Sequence, residues 1–258
     1  MPLKLSANLN MLFKEAGSLV ERFQAAKTAG FSAVEVSFPY EFSVEKVASA
    51  KKEADVDIVL INGHPGKAKM PTCDMGIAAI PHRVSEFSEK LELSIKYAKA
   101  LGCPRYIFYL LGQRYQKLSK PCGTVVKELM LLTIYFQEGI MCLIEPINPY
   151  SIPTYFMNSP SHGKLPLHRD SGDLYHLQMI EGCLTKRIDE YLPYTGHIQI
   201  AQAPDRHEPD TYGEVNYKYV VEHLEKAGYD GYVGLEYVPK GNTVDGLKWI
   251  NEMGLSLK

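Results

Sequence analysis

The sequence predicts an α/β fold, a closed (β/α)8 barrel formed by a single domain over residues 1–258. The length of 258 residues is typical of one such barrel, which has roughly 250 residues. Helical stretches end in a glycine, and a short apolar strand follows each of them within a few residues, as expected for alternating helices and strands. Two of these strands lead directly into a glutamate, which is where a parallel barrel binds its ligands. The helix-ending glycines are Gly30, Gly102, Gly139 and Gly228.

The first half of the chain alternates apolar strands with helices. Ser18 is a suitable N-cap for the first helix, and Pro81 suits the first turn of the third, where a missing N–H costs nothing. The third helix carries an apolar residue every three to four positions from Phe87 to Ala98. Strands are predicted at 3–8, 33–36, 57–61 and 106–111, and helices at 18–29, from about 43, and at 81–101.

The second half follows the same pattern, with one irregular region. Strands are predicted at 140–144, 197–201 and 232–235, and helices at 125–136, 185–192, 217–227 and 243–252. Residues 158–172 contain prolines, glycines and histidines but no apolar periodicity, so they predict no regular helix or strand. We therefore expect a barrel that is shortened or irregular around its fifth helix and sixth strand.

Composition excludes several classes of function. A net charge of −2 gives no electrostatic reason to bind nucleic acid or an anionic membrane. No apolar run approaches the roughly 20 residues of a membrane helix, and residues 1–5 do not resemble a signal peptide. The five cysteines are scattered without zinc-binding spacing, which is typical of reduced thiols. We expect a cytoplasmic protein; the sequence leaves its oligomeric state open.

Polar residues follow or end several predicted strands. Because the carboxyl ends of parallel strands meet at one end of a barrel, we expect these side chains to converge. Carboxylate and amide oxygens suit Mg²⁺ or Mn²⁺, and without cysteine or a histidine pair they suit zinc poorly. A hydrogen-bonded polar set without a metal is the alternative, and spacing leaves both open. The residues are Asn8, Asn62, Glu145, Asp173, His197, Gln199 and Glu236.

Three further residues carry weaker signals. His176 is a single histidine in apolar surroundings, where a structural, hydrogen-bonded role is the more common one. Arg206 and His207 belong to a polar loop that by itself is typical of a solvated surface. Their position after the strand at 197–201 makes them candidates for contact with a ligand.

Eight segments in this order resemble the hydroxypyruvate isomerase family, within the xylose-isomerase-like TIM barrels. They cover most of both ends of the chain, which makes the signal far more specific than any single motif. The segments are S-A-N-L-N-M-L-F at 6–13, A-G-F-S-A-V-E-V at 29–36, L-I-N at 60–62, L-I-E-P-I-N at 143–148, D-L-Y-H-L-Q at 173–178, G-H-I-Q-I-A-Q at 196–202, D-R-H-E-P at 205–209 and G-L-E-Y at 234–237.

The resemblance implies an isomerase that interconverts hydroxypyruvate and 2-hydroxy-3-oxopropanoate (tartronate semialdehyde) by proton transfer through an enediolate. It implies that Glu145 and Glu236 are the acid/base pair. It also implies that both, with Asp173 and Gln199, bind a divalent metal, Mg²⁺ or Mn²⁺, with no organic cofactor. The implied partner is a small hydroxy-oxo acid. Residues expected to contact it are Arg206, His207, Asn8, Asn62 and His176.

Two stretches depart from the family pattern. Phe108 stands where the family's fourth strand carries a histidine, and the chain is short from Gly112 to Glu145 and from Pro160 to Asp173. These departures leave two alternatives. One is an isomerase or epimerase of a larger ketose in the same superfamily, and the other is a catalytically impaired barrel with a binding role. A nuclease would need a histidine-rich metal cluster and a basic surface, which the sequence does not indicate.

Overall fold

The protein folds as a closed barrel of parallel strands, as the sequence predicts. A computed structural model describes residues 2–66, 77, 83–109, 139–153, 155, 157–159 and 169–257. Its strands pair in chain order, and β8 pairs with β1 to close the barrel. The strands are β1 Lys4–Asn8, β2 Ala33–Val36, β3 Asp57–Asn62, β4 Arg105–Phe108, β5 Met141–Ile144, β6 Arg169–Asp173, β7 Thr195–Ile200 and β8 Tyr232–Leu235.

Helices follow most of the described strands. The predicted helix at 125–136, the start of the helix predicted from 81, and residues 160–168 lie outside the described residues. The described α-helices are α1 Leu19–Thr28, α2 Val44–Ala54, α3 Val84–Leu101, α4 Leu174–Ile180, α5 Leu184–Tyr191, α6 Tyr217–Lys226, α7 Thr243–Gly246 and α8 Lys248–Glu252.

Local signals in the sequence explain where helices begin and end. Ser18 is the N-cap of α1, and Glu21 accepts hydrogen bonds from its backbone N–H and its hydroxyl, at 2.7 and 2.6 Å. Gly102 ends α3 in the left-handed conformation, with φ of 62°, and Gly139 and Gly228 also have positive φ. The glycines that predicted the alternation therefore occupy the conformation for which glycine is favoured.

The strand β6 and the helix after it differ most from the sequence prediction. Arg169–Asp173 is polar, yet it forms a strand because β5 and β7 pair with it on both sides. Tertiary pairing here overrides weak strand propensity. The helix α4 follows at once, with Asp173 as its N-cap accepting from the Tyr175 N–H; the sequence did not predict it. The single helix predicted at 243–252 is instead two short ones, α7 and α8.

The apolar core lies between the barrel and its helices. Phe108 packs against Phe87 of α3, with ring centroids 5.1 Å apart. Trp249 of α8 is fully buried, and its Nε1 donates to the Tyr237 hydroxyl beyond β8. In the described part of the chain, none of the helices has the length and apolar character needed to cross a membrane.

Candidate active site

Three carboxylates converge at the carboxyl end of the barrel. Glu145 follows β5, Asp173 ends β6 and Glu236 follows β8. All three are buried. The sequence predicts this convergence, because residues that leave neighbouring parallel strands at the same end must approach one another. Buried charges need partners, and the surrounding side chains supply them.

Arg206 is the cation that joins two of these acids. Its Nη2 lies 2.7 Å from Glu236 Oε2 and 3.0 Å from Asp173 Oδ2, and its Nε donates to the Glu236 backbone oxygen. The guanidinium also lies over the Tyr175 ring, 4.7 Å from its centroid. The backbone of Arg206 is left-handed, with φ of 58°. This conformation is strained for a non-glycine residue, and it persists only where the surrounding contacts hold it.

Gln202 holds the loop that carries Arg206. The loop runs from β7 to α6. The Gln202 side chain is buried, and both its amide oxygen and its amide nitrogen form hydrogen bonds with the loop backbone. Its Oε1 accepts from the backbone N–H groups of Ala203 and Val215. Its Nε2 donates to the backbone oxygens of Pro209, Thr211 and Val215 at 3.0–3.1 Å. The Gln202 backbone bonds to Arg206 N–H and His207 oxygen as well.

His176 lies among the acids as a neutral imidazole between Asn148 and Arg206. Asn148 Oδ1 accepts from two backbone N–H groups, at Tyr150 and Ser151, so its Nδ2 must be the atom 2.6 Å from His176 Nδ1. The other ring nitrogen, Nε2, lies 3.2 Å from Arg206 Nη1, and a guanidinium N–H can only donate. That Nε2 lies 3.5 Å from Asp173 Oδ2 and 3.9 Å from Glu145 Oε1. Burial, and then Arg206, hold the His176 pKa well below its usual value.

Asparagine side chains from β1 and β3 complete the site. Asn8 Nδ2 donates to Glu236 Oε1 at 3.2 Å. Asn62 Nδ2 donates to the Tyr109 hydroxyl at 2.5 Å, and Tyr109 in turn bonds to Glu145. Tyr109 therefore belongs to the site, although the sequence analysis did not name it. The sequence predicted a strand at 106–111 with Tyr109 inside it, whereas β4 ends at Phe108, so that Tyr109 follows β4 as Glu145 follows β5.

The barrel interior raises the pKa values of the acids. Burial raises the Glu145 pKa well above its usual value, and the charges of Glu236 and Asp173 raise it further. Burial raises the Glu236 pKa to about 8 against the opposing effect of Arg206, and it raises the Asp173 pKa as well. Groups with shifted pKa values in one pocket are typical of catalytic acids and bases.

Gln199, His207 and Phe108 have partners outside the group of three acids. Gln199 pairs with Asp173 across β7 and β6, and its amide bonds to Ser171 and Glu35. His207 points elsewhere: its Nδ1 lies 2.8 Å from the Val238 backbone oxygen. Phe108 packs outward on α3, so Tyr109, the next residue, is the one that reaches the acids from β4.

The donor atoms fit a divalent cation. Glu145, Asp173 and His176 each offer one atom, and these atoms lie within 4.8 Å of one another. The carboxylates are hard oxygen donors suited to Mg²⁺ or Mn²⁺. His176 Nε2 lies 3.2 Å from the Arg206 guanidinium, so the oxygens of Glu145 and Asp173 are the better ligands in this arrangement.

Sequence and structure comparisons place the chain in a family. Residues 23–253 match the model of the xylose isomerase-like TIM barrel family. The hydroxypyruvate isomerase of Escherichia coli is 36% identical over 260 residues, covering 96% of this chain and 98% of the relative. The 2-oxo-tetronate isomerase of Haemophilus influenzae is 33% identical over 258 residues, covering 96% and 98%. A crystal structure from Brucella melitensis, titled as an AP endonuclease of family 2, has a TM-score of 0.89 and 36% identity, covering 98% of this chain and 99% of that one. The chain therefore belongs to the xylose isomerase-like TIM-barrel family, among the isomerases that include hydroxypyruvate isomerase.

Proposed function

We propose that this protein interconverts hydroxypyruvate and 2-hydroxy-3-oxopropanoate, with Glu145 and Glu236 as the acid/base pair. The observation that carries the proposal is the convergence of two buried glutamates from β5 and β8 beside Asp173 and Arg206. Family membership supports the choice of an isomerisation.

The two glutamates suit a proton shuttle. In the forward direction a carboxylate removes a proton from C3 of hydroxypyruvate, and the enediolate that forms takes a proton at C2. The hydroxyl proton on O3 moves to O2, so no atom or electron is gained or lost. An acid/base group works best with a pKa near the working pH, and burial brings the Glu236 pKa to about 8. A carboxyl with an unshifted pKa would take up a proton far less readily at neutral pH.

Arg206 and His176 suit the binding of the substrate. Arg206 presents N–H donors among the acids, His176 lies beside it, and the substrate offers a carboxylate and an oxo group as acceptors. Arg206 remains cationic, because the neighbouring Glu236, Asp173 and Glu145 outweigh the effect of burial and raise its pKa.

A divalent cation, Mg²⁺ or Mn²⁺, would be held by Glu145, Asp173, Gln199 and Glu236. When bound, the cation would act as a Lewis acid on the substrate oxygens and stabilise negative charge on them. The proton transfers remain the work of the two glutamates. Asn8 orients Glu236 by a hydrogen bond to Oε1, while Oε2 pairs with Arg206, and Tyr109 orients Glu145 by a hydrogen bond.

A larger 2-oxo acid is the second candidate substrate. The relative from Haemophilus influenzae is named for 2-oxo-tetronate, which is one carbon longer than hydroxypyruvate. The same residues would perform the same proton transfer on either substrate. The two candidates therefore differ only in the size of the substrate that the site must hold. We do not propose a nucleic-acid substrate, since the net charge is −2.

An isomerisation assay tests the proposal. Purified protein is incubated with hydroxypyruvate or 2-oxo-tetronate, after treatment with a chelator and after addition of Mg²⁺ or Mn²⁺, and products are followed by NMR. We expect turnover of hydroxypyruvate that the chelator reduces and the metal restores. Turnover of the four-carbon acid alone would move the assignment to the second candidate. No turnover of either would favour a barrel with a binding role.

A further inference from the structure

A buried carboxylate that the proposed reaction does not use lies beneath the acids. Glu35 of β2 is within the barrel, with 1% of its surface exposed. Its Oε1 accepts from Ser6 Oγ at 2.8 Å and His197 Nε2 at 2.7 Å, and its Oε2 accepts from Gln199 Nε2 at 2.9 Å. His197 Nδ1 is buried without a hydrogen-bond partner among the described residues, so Glu35 is what holds that ring.

The strand β8, which like β2 pairs with β1, is built to admit this carboxylate. Gly234 of β8 lies two residues before Glu236, and a Cβ at this position would collide with Oε1 of Glu35. Glycine is favoured at this position because the Glu35 carboxylate lies so close to the backbone, and not because of the φ angle. The glycine of β8 and the carboxylate of β2 therefore form a matched pair on either side of β1.

Glu35 decides which end of the Gln199 amide faces the site. An ionised carboxylate only accepts hydrogen bonds, so it must face the Gln199 NH2 group. The opposite orientation would set the carbonyl oxygen of Gln199 against Oε2 of Glu35. In this orientation Ser171 Oγ, on β6, donates to Gln199 Oε1 at 3.1 Å. Gln199 Oε1 is thus directed toward β6, the strand that ends in Asp173.

We propose that Glu35 is a positioning residue, which holds the Gln199 amide so that an oxygen, and not an N–H group, is presented to a divalent cation. The inference rests on the proposed cation site and adds a residue that never contacts the cation. Partners that orient a metal ligand in this way typically change metal affinity by about 10–100-fold when they are removed.

Calorimetric titration of chelator-treated protein with Mn²⁺, without substrate, tests this proposal. We expect Glu35→Gln to weaken Mn²⁺ binding by about 10–100-fold, because its amide no longer selects one orientation of Gln199. The exchanged double variant Glu35→Gln/Gln199→Glu should recover most of that loss. There the amide at position 35 donates to the carboxylate at position 199, which still presents an oxygen.

Two further variants complete the experiment. Ser94→Ala removes a hydroxyl that is equally buried but belongs to α3, and it should bind Mn²⁺ as the wild type does. Glu35→Asp retains the charge but is one methylene shorter, and it replaces Glu35→Gln if that variant does not fold, with the same expected loss.

The proposal is overturned if Glu35→Gln binds Mn²⁺ within about threefold of wild type, a change smaller than loss of an orienting partner causes. It is also overturned if the exchanged variant binds no better than Glu35→Gln, or if the wild type binds no Mn²⁺. Failure of the wild type to turn over hydroxypyruvate would contradict the proposed function instead, and the Mn²⁺ titrations would still decide the role of Glu35.

Discussion

Arg206 and Glu236 form a buried ion pair, with Nη2 of the arginine 2.7 Å from Oε2 of the glutamate. The same nitrogen lies 3.0 Å from Asp173 Oδ2. One guanidinium from the β7–α6 loop therefore binds acids from β6 and β8. Removing one member of a buried pair leaves an uncompensated charge, so the effects of substitutions at these positions are expected to be large.

Glu236→Gln tests the proton transfer. We expect the rate with hydroxypyruvate to fall by ~10²–10⁴, because an amide retains the size of the side chain but cannot take up a proton. Steady-state kinetics of the pure variant measure this. Glu208→Gln is the matched control, since Glu208 is also buried but its carboxylate accepts from the Lys240 N–H outside the cluster. A Glu236→Gln enzyme as active as the Glu208→Gln control would make Glu236 a structural residue.

Arg206→Ala tests substrate binding. Loss of a charge-assisted hydrogen bond of about 1.5–3 kcal/mol should raise KM by about 10–100-fold. We expect kcat to fall less, as is usual when an interaction common to the bound substrate and the transition state is removed. His207→Ala is the control, because His207 bonds to the Val238 backbone and not to the acids. Equal changes in KM for the two variants would contradict a special role for Arg206.

Gln202→Glu tests the support of the arginine loop. The variant preserves the acceptor oxygen but replaces the NH2 that serves three backbone carbonyls. Each unsatisfied buried group costs about 1–3 kcal/mol, so urea unfolding should show a clear loss of stability. Gln24→Glu, at an exposed amide whose contact is Thr28 at 3.5 Å, should change the free energy of unfolding little. Unchanged stability of Gln202→Glu would show that the loop is held by other contacts.

The cysteines should differ in reactivity. Burial raises the Cys103 pKa to about 12, and it raises the Cys142 pKa too, whereas Cys183 is exposed. Thiolate is the reactive form, and its fraction at Cys103 increases only as the pH approaches about 12. At pH 8 in the native state we therefore expect iodoacetamide to modify Cys183 and to spare Cys103 and Cys142. Peptide mapping by mass spectrometry with and without urea measures this; rapid native labelling of Cys103 would mean that its surroundings open.

Sequence features that act over a few residues predicted the fold well. Apolar strands and helix-ending glycines such as Gly102 and Gly139 depend on local conformation and on burial, which a linear pattern displays. The polar strand β6 was not predictable in this way. Its residues lack strand character, and the strand forms because β5 and β7 offer backbone hydrogen bonds on either side.

The candidate site was predictable only in part. Glu145, Asp173 and Glu236 stand at strand ends, so the barrel itself implies that they meet. Tyr109 was missed, since it lies inside the strand predicted at 106–111, where a tyrosine is usually part of the core. The site placement of His207 stays a prediction, and in this structure its imidazole bonds to Val238, because the loop turns at Arg206.

The sequence by itself determined the alternation of strands and helices, the acids at the ends of β5 and β8, and the family. These depend on periodicity, glycine conformation and residue type, all of which are local. The tertiary structure alone decided which polar groups meet: Arg206 with Asp173 and Glu236, and Glu35 with His197, 162 positions apart in the chain. The physical reason is that such pairs are selected by the cost of burying an unpartnered charge, and that cost arises only once the barrel has closed around them.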